Sequence, residues 1–211
     1  AFDPTLESLR LGSKFSIKFG VSNCIFVNGD LFSNPFMKEY FDIVWCSGVL
    51  HHTENPKKGF NIITTWLKPE GYVIVGLYNF YGRFRTVFRQ KLFQLLGSGK
   101  FARYIVSLLD PVLRQDISEE KKNAWFQDQY QHPVESLHTL DEVLEWFDRN
   151  NIEFMSSIPT CDLESVNYEK MFLKQNKGNV VTRVLSQIGM LFSPLGAEGG
   201  LFLVIGKKKQ P

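Results

Sequence analysis

Two apolar runs separated by one helix-length interval constrain this chain more than any other feature. The first, Phe41-Asp42-Ile43-Val44-Trp45-Cys46, breaks at Ser47-Gly48 and passes into Val49-Leu50-His51-His52. Apolar β-formers that stop at a glycine read as a buried strand emptying into a loop. The second run, Tyr72-Val73-Ile74-Val75-Gly76-Leu77-Tyr78, follows Leu67-Lys68-Pro69-Glu70-Gly71, which reads as a turn. Between the runs a helix is expected to extend to about Leu67, capped by Thr53 or Asn55, with Pro56 in its first turn and Phe60, Ile63 and Leu67 on its apolar face. Strand, helix and strand of these lengths form a βαβ unit, and parallel strands place their ligand at their carboxyl ends. Cys46 to His52 and Leu77 to Tyr81 are therefore predicted to line one crevice.

The bulk numbers exclude several classes. A chain of 211 residues suits one domain with an elaboration. A hydrophobic share of 44% against 22% charged residues excludes disorder. A net charge of +2 points to no dominant polyanionic partner. Cys24, Cys46 and Cys161 are far apart with no C-x-x-C pair, which argues against a zinc site or a disulfide scaffold. No run of about 18 apolar residues suggests a membrane span, and the first residues show no signal-peptide pattern. A cytoplasmic setting is the expectation. P-loop, nucleophile elbow and paired carboxylates are absent, which disfavours a kinase or hydrolase.

The two runs also resemble a known family. In class I S-adenosylmethionine-dependent methyltransferases the fourth strand commonly reads FD-apolar-V, followed by a small residue and VLHH, and a helix leads to LKPGG before the fifth strand. Here LKPEG departs only at Glu70. The resemblance covers roughly Phe2 to Tyr78 and, more loosely, the final strand. It implies a Rossmann-like α/β sheet with helices on both faces, strand order 3-2-1-4-5-7-6, and S-adenosyl-L-methionine as cofactor. Asp3 then matches the acid ending the second strand, which accepts hydrogen bonds from the ribose hydroxyls. Asp30-Leu31 matches the acidic-apolar pair beside the adenine, and Cys46 and Ser47 meet the methionine portion. The residues alone also allow Asp3 to cap a helix begun by Pro4, and Asp30 to form a turn. The first strand and its glycine-rich loop have no counterpart in the sequence, so the chain is expected to be a fragment lacking that strand and most of the second.

The expected organisation is a partial cofactor-binding core over 1–80, a helical insertion over 81–138 that could serve as a substrate lid, and the rest of the core over 139–211. From Gly71 to Leu109 the chain carries Arg83, Arg85, Arg89, Lys91, Lys100 and Arg103 and no Asp or Glu. Phe84, Val87, Phe88, Leu92 and Leu95 share one helical face there. This basic amphipathic helix could cover the active site, bind an acidic substrate, touch nucleic-acid phosphates, lie on an anionic membrane surface through Arg83, Arg85, Arg89 and Lys91, or simply pack as a solvated insertion. A second inserted helix is expected to end at Tyr130, with Ser118 as its cap. The polar, aromatic, histidine-bearing stretch Asp128-Gln129-Tyr130-Gln131-His132-Pro133, followed by Leu137-His138-Thr139, is the best candidate for a substrate-facing lid. Thr139 should start a helix with Leu140, Val143, Leu144 and Phe147 inward. Ile152 to Pro159 should be a strand, Val180 to Phe192 a helix, and Leu201 to Gly206 a final strand that, by the resemblance, inserts antiparallel between the fifth and sixth.

Methyl transfer from a sulfonium needs alignment and sometimes loss of a proton, so no fixed catalytic set is expected. His132 or His138 is a plausible base, since imidazole works near neutral pH. Tyr78, Asn79 and Tyr81 are placed to orient a small-molecule acceptor. Adjacent His51 and His52 cannot both reach one ion from a regular element, so no metal is expected and His51 reads as a packing or cofactor-edge residue. Two other readings stay open. A nicotinamide dehydrogenase shares the acid after the second strand but not the VLHH and LKPEG pairing. A non-catalytic regulatory module would use the basic helix to bind an anionic partner.

Overall fold

The computed structural model describes residues 1–131, 135–197 and 199–210. The strands are β1 (Phe2–Asp3), β2 (Val27–Asn28), β3 (Phe41–Ser47), β4 (Leu67–Tyr78), β5 (Ile152–Ile158) and β6 (Leu201–Lys208). The helices are α1 (Leu6–Lys18), α2 (Pro56–Thr65), α3 (Phe84–Leu95), α4 (Lys100–Leu109), α5 (Glu119–Tyr130), α6 (Leu140–Arg149), α7 (Val180–Gly189) and the short α8 (Pro194–Ala197). β1 and β2 form a small parallel sheet. The main sheet has the order β3-β4-β6-β5. β3 and β4 run parallel, and β6 is antiparallel to both β4 and β5. The final strand thus sits between its two neighbours as the resemblance implies.

The βαβ unit forms for the reasons the sequence suggests. Asn55 caps α2 by accepting from the Lys58 amide at 2.9 Å, with Pro56 opening the helix. Phe60 and Ile63 are buried against α6, whose Leu140, Val143, Leu144 and Phe147 all point inward. The stacked rings of Phe60 and Phe147, 5.6 Å apart, join the two helices over Val73, Val75, Leu77, Phe202 and Val204 of the sheet. The opposite sheet face carries the smaller cluster of Ile74, Met155 and Ile205, while Ile43 and Trp45 remain exposed there. Phe2 ties the small sheet to the core through its edge contacts with Phe36 and Trp66.

Three elements differ from expectation. The turn at 67–71 is a bulge inside β4: pairing passes from Phe41↔Leu67 to Ile43↔Tyr72, so two steps on β3 match five on β4. Glu70 absorbs the bend with φ of 66°. The single basic helix is two, α3 and α4, joined at Gly97 and Ser98, both with positive φ. Arg83 and Arg89, expected on its surface, are buried. Their charge is met inside the protein, as shown below. Finally, Asp3 ends a strand rather than capping α1, where Thr5 holds the N-cap position.

The insertion has its own apolar cluster. Phe93, Ala102, Val106, Leu113, Phe126 and Tyr130 pack together, away from the main core. A buried polar set stiffens it: the Tyr130 hydroxyl and Trp125 Nε1 both donate to Asp110, and Arg89 Nε donates to the Tyr130 oxygen at 2.9 Å.

Candidate functional site at the carboxyl ends of β3 and β4

β3 and β4 end side by side, with Ser47 opposite Gly76. A methyl group on Gly76 would lie 2.2 Å from Ser47 Oγ, so only glycine lets the hydroxyl cross β4 at this point. The Cys46 thiol beside it is buried, and desolvation pushes its pKa up to about 12. It is therefore no nucleophile at neutral pH. β3 then turns through the short helix Leu50–His52, which lays the His51 ring on Tyr78 with centroids 3.8 Å apart. His51 is fully buried, so its part is packing.

Tyr78 is the centre of the site. Its hydroxyl donates to Asp128 Oδ2 at 3.1 Å and accepts from Gln129 Nε2 at 3.0 Å. The Arg83 guanidinium lies over its ring at 3.4 Å. Burial raises the phenol to about 12 despite the nearby guanidinium, so Tyr78 acts as a donor and not as a base. His52 stands edge-on to the same ring at 5.5 Å, with Nε2 3.9 Å from Asp128 Oδ1. The His52 side chain is 14% exposed and that of Asp128 47%, so this pair forms the open rim.

A strap over residues 135–138 closes the site from the insertion side. Ser136 N donates to the His51 carbonyl at 2.9 Å, and His138 N donates to the Tyr78 carbonyl at 2.9 Å. Arg83 clamps the strap by donating from Nε and Nη2 to the two Glu135 oxygens, each at 2.6 Å, and from Nη1 to Gln129 Oε1 and the Gly199 carbonyl. Gly200, at φ of 73°, lies so close that a Cβ would be 2.6 Å from Arg83 N. Residues 46–52 and 77–81 thus adjoin at the strand ends, covered by α5 and the strap.

The remaining candidates divide. Asn79 is fully buried: its Nδ2 donates to Gln187 and its Oδ1 accepts from the Tyr81 and Gly82 amides, so it holds the turn after β4. Tyr81 is half-buried beside Phe80. Both ring nitrogens of His138 are engaged, Nδ1 with Glu142 at 2.9 Å and Nε2 with Ser136 at 2.8 Å, and the residue is buried. That arrangement positions the strap. His132 lies outside the described residues. Asp3 ends β1 and Asp30 lies two residues past β2, two strands whose pairing is Phe2↔Val27 and Asp3↔Asn28. Each carboxylate accepts one nearby amide, Asp3 from Thr5 at 2.7 Å and Asp30 from Phe32 at 3.0 Å, which leaves acceptor sites on both. Leu31 packs half-buried against the core. Among the described residues no group of three His, Cys, Asp or Glu side chains is placed to hold a metal ion. Asp128 and Gln129 fall within the polar stretch that the sequence marks as a lid, whereas nothing local in the sequence marks Glu135, whose partner Arg83 is 52 residues away.

The sheet order, with its last strand antiparallel between its neighbours, and the acids at the end of β1 and just past β2 are those of the class I methyltransferase fold, and the chain has that fold. Residues 1–75 match the family model described as a methyltransferase domain. An uncharacterized protein of Synechococcus is 26% identical over 74% of this chain and 41% of its own length. The uncharacterized methyltransferase YcgJ of Bacillus subtilis is 33% identical over 33% of this chain and 27% of its own. PKMT2 from Rickettsia typhi, at 10% identity, superposes with a TM-score of 0.66 over 99% of this chain and 44% of its own. The same protein in complex with AdoHcy gives 0.64 at 12% identity. The chain spans well under half the length of the curated relatives it matches.

Proposed function

We propose that the protein transfers a methyl group from S-adenosylmethionine to a small acceptor held at the ends of β3 and β4. The observation that carries this reading is the Tyr78, Asp128 and His52 cluster at the carboxyl ends of two parallel strands, within a methyltransferase fold. Asp3 and Asp30, each with acceptor capacity to spare, fit the ribose and adenine ends of the cofactor, and Ser47 its methionine end. When bound, the cofactor supplies a methyl already activated on sulfur, so the protein's task is alignment and, where needed, removal of one acceptor proton. Tyr78 keeps its own proton and donates a hydrogen bond to Asp128, which holds that carboxylate at the rim where the acceptor would sit. His52 stands on the rim with Nε2 3.9 Å from Asp128 Oδ1, so the pair lines the side from which an acceptor would enter. The closed setting of Tyr78, only 6% exposed, favours a small molecule over a polymer.

Calorimetric titration of S-adenosylhomocysteine into the full-length protein tests the assignment. Asp3→Ala is expected to weaken binding by about 1–3 kcal/mol, the scale for removing a partner from buried hydrogen bonds. An unchanged dissociation constant would remove the ribose role from Asp3, and a folded protein that binds neither S-adenosylmethionine nor its product would overturn the reading.

A further inference from the structure

The apolar stripe of α3 faces solvent, the reverse of what an amphipathic helix does on a soluble core. Phe84, Phe88 and Leu95 lie on its exposed side, while Thr86, Arg89 and Phe93 are buried. The cause is the polar set around Asp110 and Tyr130, which draws Arg89 inward and turns the stripe out. α4 repeats the pattern: Phe101, Tyr104 and Leu108 are exposed at i, i+3 and i+7, whereas Ala102 and Val106 are buried. Both helices turn their buried sides to the one cluster they share with Phe126 and Tyr130, so both exposed stripes point away from it. Leu95 is 84% exposed and each of the other five more than half. Large apolar groups gathered in this way on a surface mark an interaction site.

The charges say what kind. Arg85, Lys91, Lys100 and Arg103 are exposed on the same two helices, and no acidic residue occurs between Gly71 and Leu109. Lys91 stands within the stripe itself, three residues from Phe88 and four from Leu95, where its stem can lie along apolar surface while its ammonium reaches outward. A nucleic-acid duplex would engage the cations through its phosphates and leave the exposed apolar side chains, Leu95 and Leu108 among them, in water. A neutral protein surface would use the apolar groups and leave the exclusion of acids unexplained. We propose that the α3–α4 hairpin docks on an anionic phospholipid surface. The apolar stripes enter the boundary between headgroups and acyl chains, and Arg85, Lys91 and Lys100 meet the lipid phosphates, while Arg103 turns to Asn123 and the Phe126 ring. This inference does not depend on methyl transfer.

Flotation of the full-length protein with vesicles tests it, using phosphatidylcholine alone and phosphatidylcholine mixed with phosphatidylglycerol. Binding to the anionic vesicles is expected to exceed that to the neutral ones by more than about tenfold. Phe88→Ser with Leu95→Ser, both at exposed positions that leave the helix cluster intact, should lower it by about tenfold or more. Arg85→Gln with Lys91→Gln should erase most of the preference for anionic lipid. Binding that tracks the cations but ignores the apolar pair would overturn the proposal, as would equal binding to both lipids or none to either. A dimer in light scattering that the apolar pair dissolves, with no vesicle binding, would reassign the face to a second copy of the chain.

Discussion

Burial at the strand ends fixes which side chains can take part in chemistry near neutral pH. Cys46 and Tyr78 both hold their protons to about 12, the first against a starting value of 9.0 and the second against 10.0. For each the folded state binds more protons than the unfolded one between those limits. The stabilisation is therefore complete below pH 9 and is lost as pH rises toward 12. Urea midpoints are expected to fall steadily between pH 9 and 12, and Cys46→Ala should fall less, retaining the shares due to Tyr78, Tyr130 and Cys161, whose burial also raises them. A variant with an unchanged alkaline slope would show that the thiol titrates as if exposed. Iodoacetamide at pH 8 gives an independent reading, since exposed Cys24 should be modified while Cys46 and Cys161 are spared.

Helices and strap meet the sheet through one guanidinium. Arg83 joins the end of β4 to α5, to the strap at Glu135 and to the approach to β6 at Gly199, with its side chain wholly buried. Replacing it by Gln strands the Glu135 carboxylate, itself only 14% exposed, so Arg83→Gln should cost about 3–5 kcal/mol in urea unfolding. A loss below about 1 kcal/mol, the value of a surface pair, would mean that the clamp does not hold the strap. In the sequence Arg83 is one cation among six in an acid-free run and reads as surface. What reverses that reading is a partner 52 residues away, and periodicity carries no information at such a distance. α7 makes the same point: its apolar Val181 and Leu185 are exposed, and Gln187 turns inward because Asn79 and the Leu140 amide need an acceptor.

At the scale of the molecule, what could be read in advance is what local pattern encodes. β3, α2, β4, α6 and β6 follow from apolar periodicity, caps and glycines close in sequence, and so does the meeting of the strand ends near Ser47 and Tyr78. The cover over those strand ends comes from α5 and the strap, and α5 packs on a second apolar cluster apart from the main core. Phe126 is the centre of that cluster, 1% exposed, with Phe93 at 5.2 Å, Tyr130 at 4.9 Å and Arg103 over its ring at 4.6 Å. Phe126→Ala should remove about 3–5 kcal/mol there. If the insertion opens as its own unit, hydrogen exchange in α3, α4 and α5 should accelerate by about 10² to 10³-fold while amides of β4 and β6 stay protected. Because Asp128 and Gln129 travel with α5 whereas Asp3, Asp30 and Ser47 do not, the same variant should keep its affinity for S-adenosylhomocysteine and lose turnover of acceptor. Equal acceleration across the sheet would instead make core and insertion one unit, and a parallel loss of cofactor affinity would place the insertion in the cofactor site itself.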